Sequence, residues 1–379
     1  MTPVETLLGR LVAHPTLFSA SVLPMASELA ERLEAVGMRV ERLEAGPGKC
    51  NLVATAGPPD VDGLVLSGHM DVVPVEGQPW TSDPFTMVRR GDRLVGRGTC
   101  DMKGFLAAVV TALEITPPRD LRRELSVVFT CDEEVGCLGS SILADQLLAT
   151  GRRLPALALV GEPTSFRIFR MHPGHVTARI TCRGAAAHSS KPDLGRNAIR
   201  LAARVIDTLD AIAEEWRREV RFPELLERPY VVMNVGTIRG GAAVNIVPDT
   251  CVIELGFRPL PGMSPEALFE EVRARILPLG DVEAALERNT PALLTPEGTR
   301  LEALLGPWAT DPRPAAAPYA TDGGNFERLG TRTLVFGPGS IDVAHRADEF
   351  VPVAELNRAV ELVGELIDRK STRLNSSHL

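Results

Sequence analysis

The chain has 379 residues, a formal net charge of −8, 24% charged residues and 44% apolar residues. That is enough for two domains with separate cores, within the ordinary composition of globular proteins. The acidic balance argues against nucleic acid as a partner, no apolar run is long enough to cross a membrane, and the first residues lack a basic-then-apolar secretory pattern.

The cysteines, Cys50, Cys100, Cys131, Cys137, Cys182 and Cys251, form no CxxC pair. A zinc-finger framework is therefore excluded, and free thiols in a reducing cytoplasm are expected. In chain order, 23–36 has helical spacing and 63–68 reads as a buried strand that ends at His69. A small-residue helix follows at 104–113. The strand at 125–130 leads into Asp132-Glu133-Glu134, and the strand at 157–160 leads into Gly161-Glu162-Pro163-Thr164. This alternation predicts an α/β fold with a mixed, largely parallel sheet flanked by helices.

From about 172 the pattern changes. Residues 176–182 alternate as a half-exposed strand, and 197–220 is helical, with Ile199, Ala202, Ile206, Leu209 and Ile212 near one face. Strands follow at 230–238 and 250–258. Ser264-Pro265 opens a helix that runs to 276, and 282–286 closes the series. The order βαββαβ is that of the ferredoxin-like split unit. Residues 172–288 are therefore read as an inserted α+β domain, and 1–171 with 289–369 as the discontinuous domain that carries the chemistry. Residues 313–318 are expected to be a loop, 333–337 a strand leading to His345, and 352–368 an amphipathic helix. The polar end, Lys370 to Leu379, resembles the translation of a sequencing adaptor and is set aside as a non-native tail. His378 is thereby removed as a candidate ligand.

Ligands in open α/β sheets gather beyond the carboxyl ends of the strands. His69, Glu133, Glu134, Glu162 and His345 all fall there, and imidazole with carboxylate but no thiolate suits catalytic zinc, cobalt or manganese. In Gly68-His69-Met70-Asp71 the two polar residues share a face, so the Asp71 carboxylate can accept the second ring N–H of His69 and orient it. Asp101, in Gly98-Thr99-Cys100-Asp101-Met102-Lys103-Gly104, opens a helix and can bridge two ions through its two oxygens. Adjacent Glu133 and Glu134 can split their work, one as ligand and one as base. Cys100, Cys131 and Trp80 are read as packing residues, and His14, His172 and His175 receive no role.

With these motifs the chain resembles the co-catalytic zinc family of acetylornithine deacetylases, succinyl-diaminopimelate desuccinylases, aminoacylases and related carboxypeptidases. The resemblance runs from residue 1 to about 368. It implies two divalent metal ions, zinc or cobalt. One would be held by His69, Asp101 and Glu162, the other by Asp101, Glu134 and His345. It further implies Glu133 as general base, Asp71 as the residue behind His69, and a cis peptide between Asp101 and Met102. His188, from Ala187-His188-Ser189-Ser190 of the inserted domain, would stabilise the oxyanion from a partner subunit in a homodimer formed through that domain. Asn245 and Arg258 would bind substrate, Arg258 gripping a carboxylate, and Gly339 and Ser340 would line the pocket. The implied substrate is a small N-acyl amino acid.

Gly337-Pro338-Gly339-Ser340-Ile341, Ala344-His345, Asp348-Glu349, Arg258-Pro-Leu-Pro-Gly-Met and Trp80-Thr-Ser-Asp-Pro-Phe are most similar to the acetylornithine deacetylase branch. Thr321-Asp322-Gly323-Gly324-Asn325-Phe326 departs from that branch, and Asn245-Ile-Val-Pro-Asp is similar to the desuccinylase and peptidase branches. Desuccinylase, acylcitrulline deacylase and dipeptidase activities stay open at this point, as does a non-catalytic binding homologue.

Overall fold

The computed structural model describes residues 1–60 and 62–372. The chain divides into two compact units, Met1–Arg170 with Leu294–Ala315 and Thr321–Leu379, and Met171–Leu293 with Ala316–Ala320. Among the described residues no helix is long and apolar enough to cross a membrane.

The sheet of the first unit contains, in spatial order, Arg39–Gly46, Lys49–Ala56, Leu125–Thr130, Leu64–His69, Leu157–Val160 and Arg332–Val335. The last four of these run parallel. Leu64–His69 sits at the middle and is buried at every position, as a strand covered on both faces must be. Lys103–Ile115 packs against Pro3–Val12, Leu23–Ala35 and Val353–Thr372. It is buried from Lys103 to Leu113 and apolar nearly all round, the pattern of an interior helix. A Cβ at Gly104 would stand 2.4 Å from the Thr99 carbonyl oxygen, so only glycine permits that close approach.

The second unit has the antiparallel order Val232–Gly240, Thr250–Arg258, His175–Arg183 and Val282–Thr290. Helices Ala198–Trp216 and Pro265–Ile276 supply its apolar core together with the sheet. Asn197 and Ser264 cap these helices by accepting the N–H groups of Arg200 and Ala267. Burial alternates strictly along His175–Arg183, the mark of a sheet with one wet face. That face carries the Arg179–Glu287 and Arg183–Glu283 ion pairs.

Two expectations need correction. Asp311–Ala316 forms a strand where a loop was expected. It pairs on one side only, with Arg167–His172, and a strand at such an edge tolerates the two N–H donors lost at Pro312 and Pro314. The terminal helix also runs on from Val353 to Thr372, through the first residues of the stretch set aside as a tail. The rest of that stretch, with His378, lies outside the described residues.

Candidate metal centre

Four parallel strands deliver the site residues to one edge of the sheet. Leu64–His69 ends on His69, which lies opposite Thr130 in the register. The turn carrying Asp132, Glu133 and Glu134 follows Thr130. Glu162 follows the strand ending at Val160, and Gly339, Ser340 and His345 follow the one ending at Val335. Asp101 comes from the segment before the buried helix, and its peptide bond to Met102 is cis.

The five expected ligands converge as two groups that share Asp101. The His69 Nδ1–H donates to the backbone carbonyl of Asp71 at 3.0 Å. Its Nε2 therefore faces Asp101 Oδ1 at 3.0 Å and Glu162 Oε1 at 3.9 Å. On the other side His345 Nε2 lies 3.2 Å from Asp101 Oδ2 and 3.1 Å from Glu134 Oε2. In each group, His69–Asp101–Glu162 and Asp101–Glu134–His345, the donor atoms lie within 4.8 Å of one another.

The electrostatics fit a cation. Burial pushes Glu162 up, and the charge of Asp101 pushes it further. Burial and Asp101 likewise raise Glu134 to about 7, against the hydrogen bond from His345. Hydrogen bonds to Asp101 and Glu134 raise His345 to about 10. Burial alone would depress His69, but Asp101, Glu162 and Asp71 more than reverse this. Burial would raise Asp101, and the two imidazoles instead hold it low. Without a metal, the close carboxylates favour the protonated, positively charged form of both imidazoles. Divalent ions bound to neutral imidazole and carboxylate would supply that charge in their place.

Asp71 behaves differently from the sequence expectation. It orients His69 with its backbone carbonyl, while its carboxylate oxygens stand 3.0 Å from the N–H groups of Glu133 and Glu134 and accept both. The physical reason is reach: the carboxylate lies 3.6 Å from the ring nitrogen, and two amide donors compete for it. Asp71 thus ties the first ligand to the turn that carries the candidate base.

The same turn is gripped from the Lys49–Ala56 strand. Lys49 Nζ donates to Asp132 at 2.7 Å, and the Asn51 amide bridges the N–H of Cys131 and the carbonyl of Gly139. Glu133 is raised well above its ordinary value by burial, and by Glu162 and Asp322 against the opposing charge of His69. Cys137 Sγ–H donates to Glu133 at 3.4 Å, and buried Asp322 accepts from Thr130 Oγ1 at 2.5 Å. Sequence reading gave neither Cys137 nor Asp322 a role. For Asp322 the signal was the Thr321–Phe326 departure; Cys137 had none.

Gly339 and Ser340 lie beside the Asp101 segment. A Cβ on Gly339 would stand 2.5 Å from Cys100 Sγ, and Cys100 donates to the Ser340 carbonyl. His188, Asn245 and Arg258 belong to the second unit. There Ser190 donates to His188 Nδ1 from its N–H at 3.2 Å and meets the same nitrogen with its hydroxyl at 2.7 Å. The exposed ring then carries its proton on Nε2. Ser189 N–H donates to the Asn245 carbonyl, which keeps these two residues together. Burial lowers Arg258, and burial, with the Arg258 charge added, depresses His172 and His175 to about 4.

The model of peptidase family M20/M25/M40 matches residues 65–369. The chain belongs to that family. It is thereby a metal-dependent amidohydrolase. An acetylornithine deacetylase of Proteus mirabilis is 35% identical over 90% of this chain and 88% of its own length. One from Myxococcus xanthus is 34% identical over 95% of each. Among solved structures, an M20 family metallo-carboxypeptidase from Sulfolobus solfataricus superposes with a TM-score of 0.80 at 19% identity, over 98% of this chain and 100% of that one. A Bacillus subtilis protein described as a dinuclear metal binding peptidase of the M20 family gives 0.67 at 15% identity, over 96% of each.

Proposed function

We propose that the chain hydrolyses the amide bond of an N-acyl amino acid, with N2-acetyl-L-ornithine as substrate and L-ornithine and acetate as products, a step of arginine biosynthesis. The observation that carries the reading is the pair of donor groups sharing Asp101. Relatives named for this substrate, matched along nearly their whole length, support the choice among amides. His69, Asp101 and Glu162 would hold one ion, and Asp101, Glu134 and His345 the other. Zinc is the expected metal, with cobalt able to replace it. When bound, the ions would polarise the acyl oxygen and acidify water.

The chain's own residues account for the rest. Glu133, buried and crowded by other carboxylates and so more basic than usual, takes a proton from the attacking water. It returns a proton to the amine nitrogen as the C–N bond breaks. Asp71 fixes the backbone of Glu133 while holding the His69 ring. In this reading the second unit is the lid and dimerisation domain of a cytoplasmic homodimer. His188 donates Nε2–H to the developing oxyanion, Arg258 grips the substrate carboxylate, Asn245 binds nearby, and Gly339 and Ser340 line the pocket. The free thiols support the cytoplasmic location.

The test is a substrate panel run with added zinc or cobalt. Release of acetate from N2-acetylornithine should be abolished by chelator. It should fall by roughly 10²–10⁴-fold in Glu133→Gln, with bound metal retained. A preference for succinyl-diaminopimelate or a dipeptide would reject the substrate. Full activity in Glu133→Gln would reject the mechanism.

A further inference from the structure

A buried network joins the main chain of two of the candidate ligands without using either ligand's side chain. Arg93–Val95 pairs antiparallel with Phe350–Pro352, Val95 opposite Phe350. This register brings Arg97 and Glu349 face to face, each with its side chain 1% exposed. Glu349 Oε2 accepts from Arg97 Nη1 at 2.6 Å. Glu349 Oε1 accepts the N–H groups of Cys100 at 2.9 Å and Asp101 at 3.0 Å.

The other arm of the guanidinium, Nη2, donates to Gln78 Oε1 at 2.6 Å and to the Pro74 carbonyl at 3.3 Å. Gln78 Nε2 in turn donates to the carbonyl of His345 at 3.0 Å, and Arg97 Nη1 reaches the Arg346 carbonyl at 3.4 Å. The Trp80 indole lies under the guanidinium at 5.0 Å and donates to Gln78. One ion pair thus holds the backbone on both sides of the Asp101–His345 contact. His69 is held otherwise, by its strand and the Asp71 carbonyl.

A buried ion pair is a weak source of stability, because desolvation offsets its attraction. Its value lies in the geometry it imposes, and here four oxygen and nitrogen atoms of one pair fix two chain segments. We infer that Arg97 and Glu349 are positioning residues: Glu349 sets the shared ligand Asp101 directly, and Arg97, acting through Gln78, sets His345 for the second ion. The inference rests on the two-ion reading above.

The experiment is calorimetric titration of Zn²⁺ into the chelator-stripped full chain, with the metal-free melting temperature recorded for each variant. Wild type should take up two equivalents. Glu349→Gln loosens the shared ligand Asp101 and the Arg97 support of His345, so it should weaken both equivalents, the second more, by about 10–100-fold, with kcat restored by excess zinc. Gln78→Ala, at a half-buried position, removes only the support of His345 and should weaken the second equivalent selectively, to a smaller degree. It also decides the matter if Glu349→Gln fails to fold. Equal weakening of both equivalents in Gln78→Ala, or an unchanged second equivalent in the variants that fold, would overturn the inference alone. Wild type taking up fewer than two would overturn the two-ion reading and this inference with it.

Discussion

His69 and His345 face opposite oxygens of the same aspartate, yet their supports differ. His69 ends a fully buried strand, has a side chain 1% exposed, and is aimed by a carbonyl two residues away. His345 stands on a loop, has a side chain 49% exposed and a φ of 62°, and is held through its main chain by residues from distant segments. The first support comes from hydrogen-bonded strand geometry and cannot be altered without disturbing the core. The second is assembled from side chains and can be altered alone. A centre built this way has one ligand side set by the fold and one set by a removable network.

The largest separation between the two sides should come from removing each imidazole. His69→Ala leaves buried carboxylates without their nearest partner. The metal-free chain should lose about 3 kcal/mol of stability along with the first equivalent of metal. His345→Ala should lose the second equivalent while changing metal-free stability by no more than about 1 kcal/mol, because the imidazole is half open to solvent. Melting curves with metal analysis compare the two, and equal destabilisation would erase the distinction. A smaller effect is expected for Asp71→Asn. The carbonyl that aims His69 survives and one of the two acceptors for the Glu133 and Glu134 amides is lost, so kcat should fall about 10–100-fold with metal content nearly unchanged. Loss of metal in this variant would show that the carboxylate, not the carbonyl, governs His69.

The mildest test is pH. In the metal-free chain His345 is raised from 6.5 to about 10, so its contribution is whole below pH 6.5 and is lost as pH climbs through about 10. Glu134 is raised from 4.5 to about 7, so the fold also loses stability as pH rises across that interval. Metal ligands must be deprotonated, so the loaded chain should instead gain stability with rising pH up to neutrality. Melting profiles of stripped and loaded protein between pH 5 and 8 should slope in opposite directions. Parallel slopes would contradict this account of the imidazole protons.

Much of this was legible in the sequence because the signals are local. A strand that ends in His69, or a strand followed by Asp132-Glu133-Glu134, announces both the fold and the edge where its side chains gather. The βαββαβ order of the second unit was legible for the same reason, since each element has its own periodicity and caps. What escaped were contacts between segments far apart in the chain. Lys49 with Asp132, Thr130 with Asp322, and Arg97 with Glu349 are separated by 83, 192 and 252 positions, and no short motif encodes such pairs. The Asp71 expectation went astray on a finer point, because two-residue spacing puts His69 near Asp71 without saying which oxygen wins. Asp311–Ala316 was hidden by prolines that argue against a strand unless its edge position is known.

Cys100, Cys131 and Cys137 adjoin these ligands, and all three are buried. Burial, reinforced by neighbouring carboxylates, raises each thiol above its ordinary value. The thiolate is the form that attacks disulfides, meets peroxide and captures soft metals. Thiols kept protonated this close to the candidate ligands are poor competitors for an ion, which favours oxygen and imidazole donors. Buried and protonated thiols of this kind should react slowly with oxidants and alkylating reagents, compared with a site lined with exposed cysteine.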